Sequence, residues 1–209
     1  MPKKQDNKLT FRFPDLPGEE RLKELILFIS SECAKDPTFG ATKLNKILFF
    51  SDFLFYRATG KPITGVEYFR LEFGPAPKPL VKVREEMIKN RDLVVLPSDY
   101  FQKKQQRTIP SREPELKKYF KPVEIAFVLT IIRSLWGKTA REVSDMSHQL
   151  AWRIVADRES IPYEACFLSE DAINETDIEE ARELNQRYHW EPIESPIVET
   201  ACEPELQPA

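Results

Sequence analysis

The sequence predicts an α+β fold: a mostly helical single domain with a central buried helix and a small antiparallel sheet or hairpin. Three observations carry this. Residues 42–59 are apolar around nearly the whole helical circumference, which suits a helix enclosed on all sides. Several other segments repeat apolar residues at i, i+3, i+4 and i+7, the stripe of a helix with one buried face. Residues 63–73 alternate with period two, as a half-buried strand does.

In chain order, residues 1–17 are polar and proline-punctuated and read as an extended arm. A helix is expected over 19–35, with Leu22, Leu25, Ile26 and Ile29 on its buried face, stopped by Asp36-Pro37. The central helix over 42–59 should end at Gly60. Residues 63–73 read as a strand, with Phe69, Leu71 and Phe73 facing the core and Tyr68, Arg70 and Glu72 facing solvent. Gly74-Pro75-Ala76-Pro77 is a turn leading into a helix over 79–90, with Leu80, Val83, Met87 and Ile88 on one side.

A β-hairpin is expected over 93–108, its second strand polar and basic, as suits an edge or a projecting arm. After a connector at 113–120, a helix over 122–136 places Ile125, Val128, Leu129, Ile132 and Leu135 on one face. Thr139 and Glu142 form a capping box for a helix over 140–149. Beyond Trp152 the pattern weakens. The domain is placed at 18–168, followed by an acidic helical extension at 169–190 and a disordered acidic tail at 191–209.

Charge is unevenly distributed. The 209 residues carry a net charge of −3, but residues 169–209 hold 12 acidic and 2 basic side chains, −10, which leaves +7 on residues 1–168. The tail is either a solubilising segment or an electrostatic contact. No run of about 18 apolar residues predicts a membrane span. The N-terminus has no apolar stretch behind its lysines, and the 3 cysteines (Cys33, Cys166, Cys202) are scattered. A cytoplasmic protein with reduced thiols is therefore expected.

No catalytic set is predicted. Asp145, Ser147 and His148 are close in sequence, but on a helix Asp145 and His148 share a face while Ser147 points away. His148 reads as a histidine hydrogen-bonded in or near the core, with Trp152 packing beside it. Asp52 lies in the apolar central helix, so it needs Arg, Lys or backbone donors, or else must face solvent or a partner. Neither a phosphate-binding glycine loop nor a metal signature is present, and no cofactor is expected. Between Lys103 and Lys121, 7 basic residues stand against 2 acidic, +5. A basic hairpin after helices is compatible with the wing of a winged-helix DNA binder.

The stretch from Lys43 to Leu80 is more specific. It reads Lys-Leu-Asn-Lys-Ile-Leu-Phe-Phe-Ser-Asp-Phe, then Thr-Gly-Lys-Pro-Ile-Thr-Gly-Val-Glu-Tyr, then Leu-Glu-Phe-Gly-Pro-Ala-Pro. With the distal Ser-Asp-Met-Ser-His and Trp152, it resembles the Panacea domain, the SocA-like antitoxin family also met as phage-associated proteins. The motif residues are Lys43, Leu44, Asn45, Lys46, Asp52, Pro62, Gly65, Tyr68, Gly74, Pro75, His148 and Trp152. Phe73 stands where the family commonly has Tyr. The resemblance spans roughly residues 20–155 and implies a non-enzymatic antitoxin that neutralises a cognate toxin by direct protein contact. Some members instead deliver the toxin to a protease. A DNA-binding regulator stays open as an alternative. Tyr68, Arg70, Tyr100, Phe101 and Arg107 are expected partner contacts, as exposed strand or hairpin residues.

Overall fold

The computed structural model describes residues 9–100, 103–148 and 150–168, together with Glu179, Glu183 and Arg187, which are helical and exposed. The chain divides into the units Met1–Glu170 and Asp171–Ala209. The first is a mostly helical α+β domain. The expected tail at 191–209 and most of the extension at 169–190 lie outside the described residues.

Helices α1 (Gly18–Glu32) and α2 (Ala41–Thr59) form the centre. Leu22, Leu25, Ile26 and Ile29 of α1 are fully buried, as their spacing requires. Helix α2 buries Leu44, Ile47, Leu48, Phe49, Phe50, Phe53 and Phe55, and Gly60 caps it with a left-handed φ of 75°. The loop between them is locked by a buried ion pair. Lys43 Nζ lies 2.7 Å from Asp36 Oδ2, and Asp36 Oδ1 accepts from Thr38 N at 3.0 Å. Burial raises the Asp36 carboxyl, but its bonds to Lys43 and Thr38 outweigh this and hold it below the ordinary range.

A three-stranded antiparallel sheet follows, ordered β2–β1–β5. Strand β1 (Tyr68–Phe69) pairs with β2 (Ala76–Pro77) and with β5 (Ser160–Ile161). This corrects the expected long strand in two ways. The ladder is only two residues long, and its faces are reversed: Tyr68 is fully buried and Phe73 is 65 % exposed. The reason is chemical, since the interior at this point holds the Asp52 carboxylate, which takes the tyrosine hydroxyl rather than a phenylalanine ring.

Helix α3 (Leu80–Lys89) buries Leu80, Val83 and Met87, whereas Ile88 is exposed. Strands β3 (Leu93–Tyr100) and β4 (Lys103–Pro110) form a two-stranded hairpin, longer than expected because Pro97, Ser98 and Asp99 continue the ladder. Short α4 (Leu116–Tyr119) leads to α5 (Pro122–Leu135), whose Val128, Ile132 and Leu135 pack inward. Helix α6 (Ala140–Ser147) starts at the expected capping box: Thr139 Oγ1 accepts from Glu142 N at 3.3 Å, and Glu142 accepts from Thr139 N at 2.7 Å. Helix α7 (Leu150–Arg153), β5 and a 3₁₀ turn (Tyr163–Phe167) complete the domain.

This last part carries core residues that the weakening pattern concealed. Ile161 and Tyr163 are fully buried. Tyr163 donates to Val66 O at 2.7 Å and stacks on Phe53 with ring centroids 4.8 Å apart. Residues 9–17 are tied to the same layer. Phe13 N donates to Gly65 O at 2.9 Å and Tyr163 N to Thr10 O at 2.8 Å. Gly65 (φ 73°) is needed here, because a Cβ would lie 2.8 Å from Phe13 Cβ.

Candidate functional site

Three donors from three elements converge on the loop that joins β1 to β2. Trp152 Nε1 of α7 donates to Leu71 O at 3.0 Å. Ser144 Oγ of α6 donates to Phe73 O at 2.8 Å, and Lys46 Nζ of α2 donates to Pro75 O at 3.0 Å. Within the turn, Gly74 N donates to Leu71 O at 2.9 Å. The alternate carbonyls of residues 71, 73 and 75 are thus turned inward and satisfied, which leaves the Glu72 and Phe73 side chains exposed. Gly74 (φ 91°) is required by space as well as by conformation. Its Cβ would contact Ser147 Oγ and lie 2.6 Å from Lys46 Nζ.

The charge in this site is unbalanced. Lys46 is 1 % exposed, and no carboxylate among the described residues pairs with it. Burial lowers its ammonium to about 7. His148 follows Ser147 and stacks on Trp152 at 4.0 Å, with the planes 18° apart. Arg70 Cζ lies 4.1 Å from the same indole centroid. Both the imidazole and the guanidinium therefore pack against the indole. Burial, then the nearby Lys46 charge, lower the His148 pKa; Asp145 pulls it up less strongly, and Arg70 adds a smaller downward push. His148 Nε2 is buried without a hydrogen-bond partner. Ser147 Oγ donates to Ser144 O at 2.7 Å.

A second polar centre lies further along α2. Asp52 is fully buried and accepts from Thr64 N at 2.6 Å, from Thr64 Oγ1, and from Tyr68 Oη at 2.8 Å. Its backbone donor fits the sequence expectation, while the two hydroxyl donors replace the cation that could have paired with it. Burial raises its pKa, and the Thr64 and Tyr68 bonds work against that rise.

Most of the motif residues therefore fall into two clusters. Lys46, Gly74, Pro75, His148 and Trp152 gather at the turn, Asp52 and Tyr68 meet at the second centre, and Pro62 is buried two residues before Thr64. Leu44 is core, Lys43 is paired with Asp36, and Asn45 is half-buried. Ser144 opens the Ser-Asp-Met-Ser-His element that carries the family resemblance, but the sequence alone assigns it no role.

The expected partner contacts fare differently. Tyr68 is not exposed, because Asp52 holds it inside. Arg70 is half-buried over Trp152. Arg107 turns inward to the main chain just past α1, donating to Asp36 O at 3.0 Å and to Ala34 O at 2.8 Å. Tyr100 ends β3, and Phe101 lies outside the described residues.

The family model of the antitoxin SocA-like Panacea domain matches residues 44–153. The chain belongs to this family. The match begins one residue after Lys43 and ends one residue after Trp152, a shorter span than the residues 20–155 expected. The Panacea-domain match thus contains every residue of both polar centres, whereas the Asp36–Lys43 lock, the N-terminal segment, Ile161 and Tyr163 lie outside it. No curated protein and no solved structure matches the chain. Among the described residues, no helix is long and apolar enough to cross a membrane.

Proposed function

We propose that this Panacea-domain protein is an antitoxin that neutralises a cognate toxin by direct protein–protein binding, without catalysis of its own. The observation that supports this most is the family match over residues 44–153. The geometry agrees with it, because the motif side chains are engaged in shaping a turn and a buried strand. Ser147, the hydroxyl neighbour of His148, donates to a helix carbonyl instead of pairing as a nucleophile would.

The DNA-binding alternative has less support. Of the basic residues between Lys103 and Lys121, Arg107 bonds main-chain carbonyls and Arg112 is paired with Glu24 and Asp92, each at 2.7 Å. These charges are engaged within the fold and contribute less to a phosphate contact.

Co-expression with the product of the neighbouring reading frame tests the proposal. A product toxic alone, tolerated with this chain and co-purifying with it in fixed ratio, is the expected result. Rescue without a stable complex, accompanied by faster loss of the toxin, would favour delivery to a protease. Recovery of promoter DNA with steep salt dependence, and of no protein, would favour the regulator.

A further inference from the structure

We infer that the Glu72–Phe73 turn is the anchor by which this chain engages its protein partner, with the Phe73 ring entering an apolar socket bordered by basic side chains. The inference rests on the antitoxin reading and says which surface performs it.

Phe73 is 65 % exposed, more than any other phenylalanine or tryptophan among the described residues, Phe167 (57 %) and Trp136 (46 %) included. An exposed aromatic alone means little. Here, however, the backbone beneath it is fixed by donors from α2, α6 and α7, and Ser144 holds the Phe73 carbonyl itself. A turn that short needs no such support to exist. Holding it in one conformation removes the ordering cost that a mobile loop would meet on binding. Aromatic rings presented from a fixed backbone are the usual anchors of protein interfaces.

The neighbouring charges select the kind of partner. Glu72 is exposed beside Phe73, and Asp145, next to Ser144, has a 68 % exposed carboxylate only loosely paired with Arg141 at 3.9 Å. An exposed carboxylate next to Phe73 in the chain, and another next to the serine that holds its carbonyl, disfavour a phosphate backbone and favour a socket edged by Lys or Arg.

The test uses the full chain and, as probe, the toxin identified by co-expression. Phe73→Ala should weaken the complex about thirty-fold or more with an unchanged melting temperature. Val81→Ala, which removes an equally exposed aliphatic side chain on α3, should leave affinity within about two-fold. Ser144→Ala, at a positioning residue, should weaken binding about three- to ten-fold through the loosened turn, and Ser144→Thr should restore it.

If Phe73→Ala binds as wild type does, the anchor is wrong and the antitoxin reading stands. Equal losses from Val81→Ala would also overturn it. So would a wild-type dimer that Phe73→Ala converts to monomer, since the turn would then serve self-association. If the wild-type chain binds no neighbouring product, both readings fall.

Discussion

Besides the ion-paired Lys43, helix α2 sends Lys46 and Asp52 into the interior six residues apart, and the fold treats these two differently. Asp52 receives two hydroxyl donors and a backbone N–H, all from the segment leading into β1. Lys46 reaches a single carbonyl, Pro75 O, beneath a glycine turn. Neither has an opposite charge beside it among the described residues. Asp52 organises buried structure around itself, whereas Lys46 helps to hold a turn whose outer side faces solvent. The difference suggests that one centre serves stability and the other the shape of a surface.

Removing Asp52 should have the largest effect. Asp52→Ala strands Thr64 N, Thr64 Oγ1 and Tyr68 Oη in the interior, and each unsatisfied donor costs about 1–3 kcal/mol. A loss of about 3 kcal/mol or more is expected, read as a fall in the urea midpoint at constant slope. A loss under about 1 kcal/mol would mean that the site collapses or admits water, and the contrast with Lys46 would disappear.

The two centres also mark what was legible in the sequence. Helices α1, α2, α3 and α5 were readable because each carries a 3.6-residue apolar stripe, or apolarity all round, and α6 because a capping box marks its start. The strand faces at residues 68–73 were not. Alternation alone cannot tell which face is buried when both carry aromatics, and the deciding partner, Asp52, lies 16 residues before Tyr68. The Tyr163 layer was missed because Ile161 and Tyr163 are two isolated apolar residues whose partners, Val66 and Phe53, lie about a hundred residues earlier. At the turn, the family motif named Lys46, Gly74 and Trp152 but not their common task, which depends on three carbonyl directions that no side-chain pattern encodes.

Titration should separate the centres by sign. Unfolded Lys46 keeps its proton up to about 10.5, and the folded residue releases it near 7. Between these values the unfolded chain binds more protons, so this residue makes stability rise with pH across that window. Asp52 acts in the opposite sense. Its raised pKa means that the folded state holds a proton longer than the unfolded state, so its contribution falls as pH climbs above the ordinary carboxylate value. Lys46→Met should abolish the alkaline gain, on the order of a few kcal/mol, in unfolding curves at pH 7 and pH 10. An unchanged gain would assign it to another group.

Gly74→Ala probes the Lys46 side sterically. The left-handed φ and the approach to Ser147 Oγ and Lys46 Nζ together should cost about 2 kcal/mol, visible as a lower melting temperature. Hydrogen exchange should quicken at residues 71–74 while the interior of α2 stays protected. Equal loss of protection throughout α2 would make the turn part of the core and remove the distinction.

The smallest expected effects give the finest comparison, because one donor can be deleted from each centre with little change of shape. Tyr68→Phe removes a hydroxyl from a fully buried carboxylate, and a bond to a charged acceptor is worth about 1.5–3 kcal/mol. Trp152→Phe removes the Nε1 donor to Leu71 O but keeps an aromatic ring against Arg70 and His148. A neutral bond of that kind is worth about 1 kcal/mol, and Gly74 N still donates to the same carbonyl. Tyr68→Phe should therefore cost more at pH 7, and the gap should narrow in acid as Asp52 takes up a proton and its acceptor weakens. A gap that stays constant from pH 7 to pH 4 would mean that Asp52 is already neutral in the folded protein at pH 7. Both centres would then be held by neutral hydrogen bonds, and their difference would reduce to the number of donors each collects.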